Sequence, residues 1–158
     1  VMQISTTRSF LLLAALTIGG AGIAIGQTEV PAAVKARQGQ MQLQSFYLST
    51  LGEMARGNID YDADAAQASA DSLVAIAAMD WDPLWPEGTA TSEVEASRAL
   101  PAIWTDAEGY AAAWDAFGTA AAAVQGVAGG GLDGLRAEMG ALGQSCGGCH
   151  DDYRVSND

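Results

Sequence analysis

One histidine, two cysteines, one lysine and only seven basic residues against nineteen acidic ones set the first limits on this 158-residue chain. A single histidine rules out the three-histidine and paired-histidine metal sites. Two cysteines rule out a four-cysteine zinc site, and a mixed site needs a carboxylate to complete it. A net charge of -12 argues against partners that carry phosphate, because nucleic acid and anionic membrane are repelled by such a surface. The same acidity keeps a protein soluble and permits docking to a basic redox partner protein. No stretch alternates with the period of two that a half-buried strand shows, so the sequence is predicted to be all-α. Nothing resembles a phosphate loop, or a nucleophile beside a free histidine, and the expected role is not that of an enzyme.

What is present stands near the C-terminus. Cys146-Gly147-Gly148-Cys149-His150 has two thiols two residues apart, followed at once by imidazole, the pattern of covalent c-type haem attachment. Residues three and four apart share a helix face, so Cys146, Cys149 and His150 meet one macrocycle, with His150 as its axial ligand. Gly147 and Gly148 are expected to leave room for it. The competing readings are a thiol oxidoreductase, which wants a βαβ setting, and half a zinc site.

Residues 1–26 read as a secretory signal peptide: Arg8, then the apolar run Phe10 to Ile25, then small residues before Gln27. The expected cut follows Gly26 and leaves residues 27–158 as one domain without a stable membrane anchor. An uncleaved anchor is the alternative, and the run is shorter than the ~20 residues that span a bilayer. Export to the periplasm agrees with haem attachment on that side of the membrane.

Four helical segments follow. The first opens at Pro31 and ends at Gly57, with Val34, Met41, Leu48, Leu51 and Ala55 inward and Arg37 on the same stripe. A charge there is costly unless something anionic meets it, whether a haem propionate or a carboxylate such as Asp64. The second starts at Asp62 or Asp64, with Asp64 and Gln67 spaced as a capping box. Residues 81–102 hold three prolines and lack a period, so they form a long link, with Trp81, Leu84 and Trp85 available to close over the haem or to plug the bundle end. The third segment carries the seam Ile103, Ala107, Tyr110, Trp114, Phe117, Ala121 and Val124, with a capping box at Thr105 and Glu108. The fourth repeats the seam through Leu135, Met139, Leu142, Cys146, Cys149 and Tyr153. Together they predict an antiparallel four-helix bundle with its cofactor in the core.

In these features the chain resembles cytochrome c', the class II c-type cytochromes, over residues 30 to 155. The resemblance is carried by Arg37-Gln38-Gly39-Gln40-Met41, Tyr61-Asp62-Ala63, Leu84-Trp85-Pro86-Glu87-Gly88-Thr89, Ile103-Trp104, and Cys146 to His150 with Asp151-Asp152-Tyr153-Arg154. It implies a left-handed bundle, often a homodimer, with one haem c whose five-coordinate iron binds nitric oxide and carbon monoxide or passes electrons. It also implies Arg37 against a propionate with Gln38 beside it, Met41 over the distal face and Arg154 near the proximal histidine. Gly147 departs from the lysine that many members have there. Low-spin relatives place a coordinating methionine one turn before the distal residue, where this chain has Arg37. An electron-transfer protein with Met41 as sixth ligand is the alternative.

Overall fold

The computed structural model describes residues 29–156. The expected leader and the junction at Gly26 and Gln27 lie outside the described residues. Five helices follow in order, α1 (Ala32–Arg56), α2 (Ala63–Ala77), the short α3 (Ala102–Thr105), α4 (Ala107–Gln125) and α5 (Leu132–Tyr153). The long ones form a ring in which α1 packs on α2 and α5, and α4 on the same two. Gln67 of α2 meets Gln125, and Trp114 meets Ala77, so α2 and α4 run antiparallel. Arg136 of α5 donates to Ala55 O near the end of α1, which sets that pair antiparallel as well.

The termini explain where each helix lies. Pro31, with φ -53°, precedes α1, where its missing N–H is no loss. Gly57 ends it at φ 75°, a left-handed conformation that glycine adopts without a Cβ penalty. Asp62 caps α2 by accepting from Ala65 N at 2.9 Å. The expected Asp64–Gln67 box does not form, because Asp62 is already extended and two residues nearer the turn. Gln67 reaches across to α4 instead, donating to Gln125 O and accepting from Gly129 N.

The third expected helix is broken. Asp106 leaves helical geometry at φ -129°, ψ 59°, separating α3 from α4, and its carboxylate accepts from Gly109 N at 3.2 Å. The cap is therefore Asp106, one residue beyond the predicted Thr105 and Glu108 box. Ala107 turns out to solvent, while Phe117, Ala121 and Val124 stay in the core. That core gathers Leu51, Leu73, Val124, Leu135 and Leu142, all essentially inaccessible, between small residues such as Ala66 and Ala70 that let α2 approach α4. A smaller cluster of Ala99, Ile103 and Tyr153 closes the end where α3 and the last turn of α5 meet.

Gly109 sits under that break. An added Cβ there would lie 2.5 Å from Tyr153 Oη and nearer still to the Asp106 carboxylate. Gly109→Ala is expected to destabilise the chain by about 1–3 kcal/mol through this overpacking. A urea melt beside Gly118→Ala, whose new methyl meets only ordinary contacts, is the check.

Candidate functional site

A cavity of about 480 Å³ opens between the first half of α1, the link, the start of α4 and the end of α5. That volume lies in the ~300–1,000 Å³ range of cofactor sites. Cys149 and His150 line it together with Met41, Gln38, Arg37 and Arg154. Cys146, one turn earlier, packs against the main core, and Cys149 against the smaller cluster, so the thiols flank the junction of the two. A second cavity of about 460 Å³, between α1 and α5 near Gly52 and Met139, has neither thiol nor imidazole in its wall.

Burial raises both thiols above the ordinary cysteine value, Cys149 to about 11 with Cys146 and Asp152 adding to the effect. A thiol–disulfide nucleophile needs the opposite shift. Burial likewise lowers His150, helped by Arg154 and opposed by Asp151. The imidazole is thereby kept in the neutral form that donates to a metal.

Arg37 is 4% exposed and has no anionic partner among the described residues. Its Nη1 donates to Leu84 O at 3.1 Å and Thr89 Oγ1 at 2.8 Å, and its Nη2 to Thr89 O at 2.6 Å and Ser97 Oγ at 2.8 Å. The guanidinium also lies 4.6 Å over the Trp85 ring. The sequence argument asked for a negative charge; neutral acceptors of the link meet the need instead. Asp64 stays exposed in the first turn of α2 and does not pair with it. Four of the five guanidinium N–H groups are thus used, leaving Nε for an anion.

The other predicted residues divide. Gln38 donates to Ala96 O at 2.6 Å on the cavity rim. Arg154 is not a continuation of the helix: α5 ends at Tyr153, and Arg154 is extended at φ -130° and bridged to Ala99 while still lining the cavity. Trp81 is not in the cavity wall. It lies just past the turn that ends α2 and packs on Trp114, ring centroids 4.0 Å apart, and a 3-10 turn at Asp82–Leu84 brings Trp85 to the wall instead. Gly147 and Gly148 face open space on the exposed side of α5, so the room they leave is outside the cavity.

Sequence reasoning did not select Arg98, Tyr110 or Tyr153 as site residues, though all three line the cavity. Both tyrosines were visible as seam positions, whereas Arg98 had no signal in an aperiodic link. The Tyr153 hydroxyl donates to Asp106 Oδ2 at 2.8 Å, and that bond, followed by burial, pushes its ionisation up to about 12.

The residues present fit a haem. Trp85 Nε1 and Arg154 Nε are buried without a protein partner, and both residues border the cavity. Three arginines line it and no carboxylate does. Those are donors and charge suited to the two propionates of a macrocycle whose vinyl carbons take Cys146 and Cys149.

A four-helix bundle with an adjacent thiol pair and imidazole on its last helix defines a class II c-type cytochrome, and cytochromes c' are among the known bundles of this topology. The chain belongs to the cytochrome c' family, whose sequence model matches residues 32–154. It is 41% identical to the cytochrome c' of Cereibacter sphaeroides over 122 residues, 77% of this chain and 82% of that one. A solved cytochrome c' from Rhodobacter spheriodes superposes with a TM-score of 0.79 at 39% identity, covering 82% of this chain and 99% of that one. The nitric oxide complex of a cytochrome c' variant from Alcaligenes xylosoxidans gives 0.69 at 31%, covering 79% and 94%. Like its family, the chain is a c-type haem protein.

Proposed function

We propose that this protein binds small neutral gases, nitric oxide and carbon monoxide, at an iron held by His150 on one face only. The observation that carries this reading is the absence of a second strong ligand: His150 is the sole histidine, and the position one turn before Met41 is Arg37, whose guanidinium is committed to the link. Met41 is half-buried in the cavity wall, where it would cover the distal face of a bound haem without bonding to its iron. The relative solved with nitric oxide supports the choice of gas. When bound, the haem would supply the gas-binding metal; the chain would hold it through Cys146 and Cys149 and offer arginines to its acidic edge. A thioether offers bound oxygen no hydrogen bond, so nitric oxide is favoured over oxygen.

Electronic spectra of the ferric and ferrous protein, with and without each gas, are the test. High-spin iron that takes up nitric oxide, unchanged in Met41→Leu, is the expected result. Low-spin iron that turns high-spin in Met41→Leu would make Met41 a ligand and the protein a dedicated electron carrier, a reading favoured only by the place of Met41 in the same wall as His150.

We further propose that the protein is exported to the periplasm, forms a homodimer, meets a redox partner protein and has no organic substrate. Among the described residues no helix is long and apolar enough to cross a membrane. The intact mass of protein recovered from the periplasm, allowing for one haem, is expected to correspond to a chain beginning at or near Gln27. A mass that retains residues 1–26 would mean an anchor.

A further inference from the structure

Four aromatic rings are joined edge to face beside the cofactor cavity. Tyr153 and Tyr110 are 5.3 Å apart between centroids, Tyr110 and Trp85 5.4 Å, and Trp85 and Trp104 6.4 Å. These separations lie within the ~4.5–7 Å of direct ring contact. Tyr153, Tyr110 and Trp85 border the same cavity as Cys149 and His150, so an electron vacancy arising there meets this set of rings first.

Only one of the four has a base at hand. A phenol that loses an electron becomes strongly acidic, and it yields a persistent neutral radical when an acceptor within hydrogen-bond reach takes the proton. Tyr153 Oη donates to Asp106 Oδ2 at 2.8 Å. Trp104 Nε1 donates to the neutral carbonyl of Trp85, and among the described residues Trp85 Nε1 has no partner and Tyr110 no carboxylate partner. Asp106 is itself exposed, so a proton placed on it exchanges with solvent, whereas Tyr153 is 6% exposed and shielded from quenching.

We propose that Tyr153 is a redox-active tyrosine that delivers one electron into the cavity during reduction of hydrogen peroxide, its hydroxyl proton passing to Asp106. The step balances. The peroxide O–O bond breaks and accepts two electrons, one from the ferrous cofactor and one from Tyr153. It also accepts two protons, one released through Asp106 and one from solvent. Two waters, a ferric cofactor and a neutral Tyr153 radical result. The inference requires the bound haem and goes beyond gas binding.

Rapid freeze-quench electron paramagnetic resonance on the ferrous holoprotein, mixed with one equivalent of hydrogen peroxide, tests it. A tyrosyl signal is expected that narrows when ring-deuterated tyrosine is incorporated. Tyr153→Phe keeps the ring stacking and is expected to lower that signal about tenfold or more. Asp106→Asn keeps a hydrogen-bond acceptor but not a base, and is expected to lower it too; a purely structural tie would leave the yield unchanged. Nitric oxide uptake and the thermal melt of Tyr153→Phe, measured on the same samples, separate a lost electron donor from a damaged cofactor site. A full-strength tyrosyl signal in Tyr153→Phe, or none in the parent protein while its iron is oxidised, would overturn the proposal.

Discussion

Replacing Arg37 by leucine is expected to lower the stability of the folded chain by about 3 kcal/mol, because hydrogen bonds from a charged donor contribute roughly 1.5–3 kcal/mol each and do not add fully. Four acceptors of the link, at Leu84, Thr89 and Ser97, lose their donor at once, and the Trp85 ring loses its cation. The matched control is Arg56→Leu. Arg56 is exposed at the end of α1 and, among the described residues, its one salt bridge is to Glu53 one turn back, a solvent-screened pair that contributes little. Urea melts of both variants, in the haem-bearing protein and in a background where Cys146 and Cys149 are alanine and no haem is attached, give the comparison. A large Arg37 effect that persists without haem identifies the residue as the anchor of the link. An effect confined to the haem-loaded protein would assign it wholly to the cofactor, and equal small effects would mean that the link holds itself.

Changing both Cys146 and Cys149 to alanine is expected to abolish covalent attachment: all pigment should then leave the polypeptide in acidic acetone, against full retention in the parent. Each single variant keeps one thioether and is expected to retain pigment in part. The two positions differ in their second effect. Cys146 packs on the main core one turn after Leu142, and its truncation removes contact from the region that holds all four long helices together. Cys149 packs on the smaller cluster with Tyr153 and Ile103, where the loss is local. Cys146→Ala should therefore melt at lower temperature than Cys149→Ala, and pigment retained by the double variant would require another point of attachment.

The bundle was legible because its signals are local and redundant. Pro31, Gly57 and the triglycine at 129–131 punctuate the chain, and the Leu135 to Tyr153 seam repeats at helical spacing. The break at Asp106 was not, for two reasons: the heptad spacing from Ile103 to Tyr110 runs unbroken across it, and Thr105 with Glu108 satisfies the same capping pattern one residue early. What favours Asp106 over Thr105 includes a bond from Tyr153 on a distant helix, which the local pattern does not contain. At the site, the motif and Arg37 stood out as residues whose chemistry is expensive to bury without a purpose. The exchange of Trp81 for Trp85 did not, since it depends on a 3-10 turn within a link that has no period. From sequence a buried arginine calls for an anionic partner; backbone carbonyls and hydroxyls, which every sequence carries, leave no trace in composition.

The link also bears on the order in which the protein folds. Its acceptors lie 47 to 60 residues beyond Arg37. At its other end, Leu100 N donates to Tyr153 O, Val155 N to Arg98 O, and Arg98 to the carbonyls of Val155 and Ser156. Contacts of such separation form late, after the hairpins α1–α2 and α4–α5 have nucleated locally. The cavity mouth is therefore expected to be the last region to close, since its closing contacts need the residues that follow the haem motif. Attachment machinery that must reach both thiols has the interval before that closure, so a variant with a faster-closing link is expected to mature with less haem even when its folded structure is unaltered.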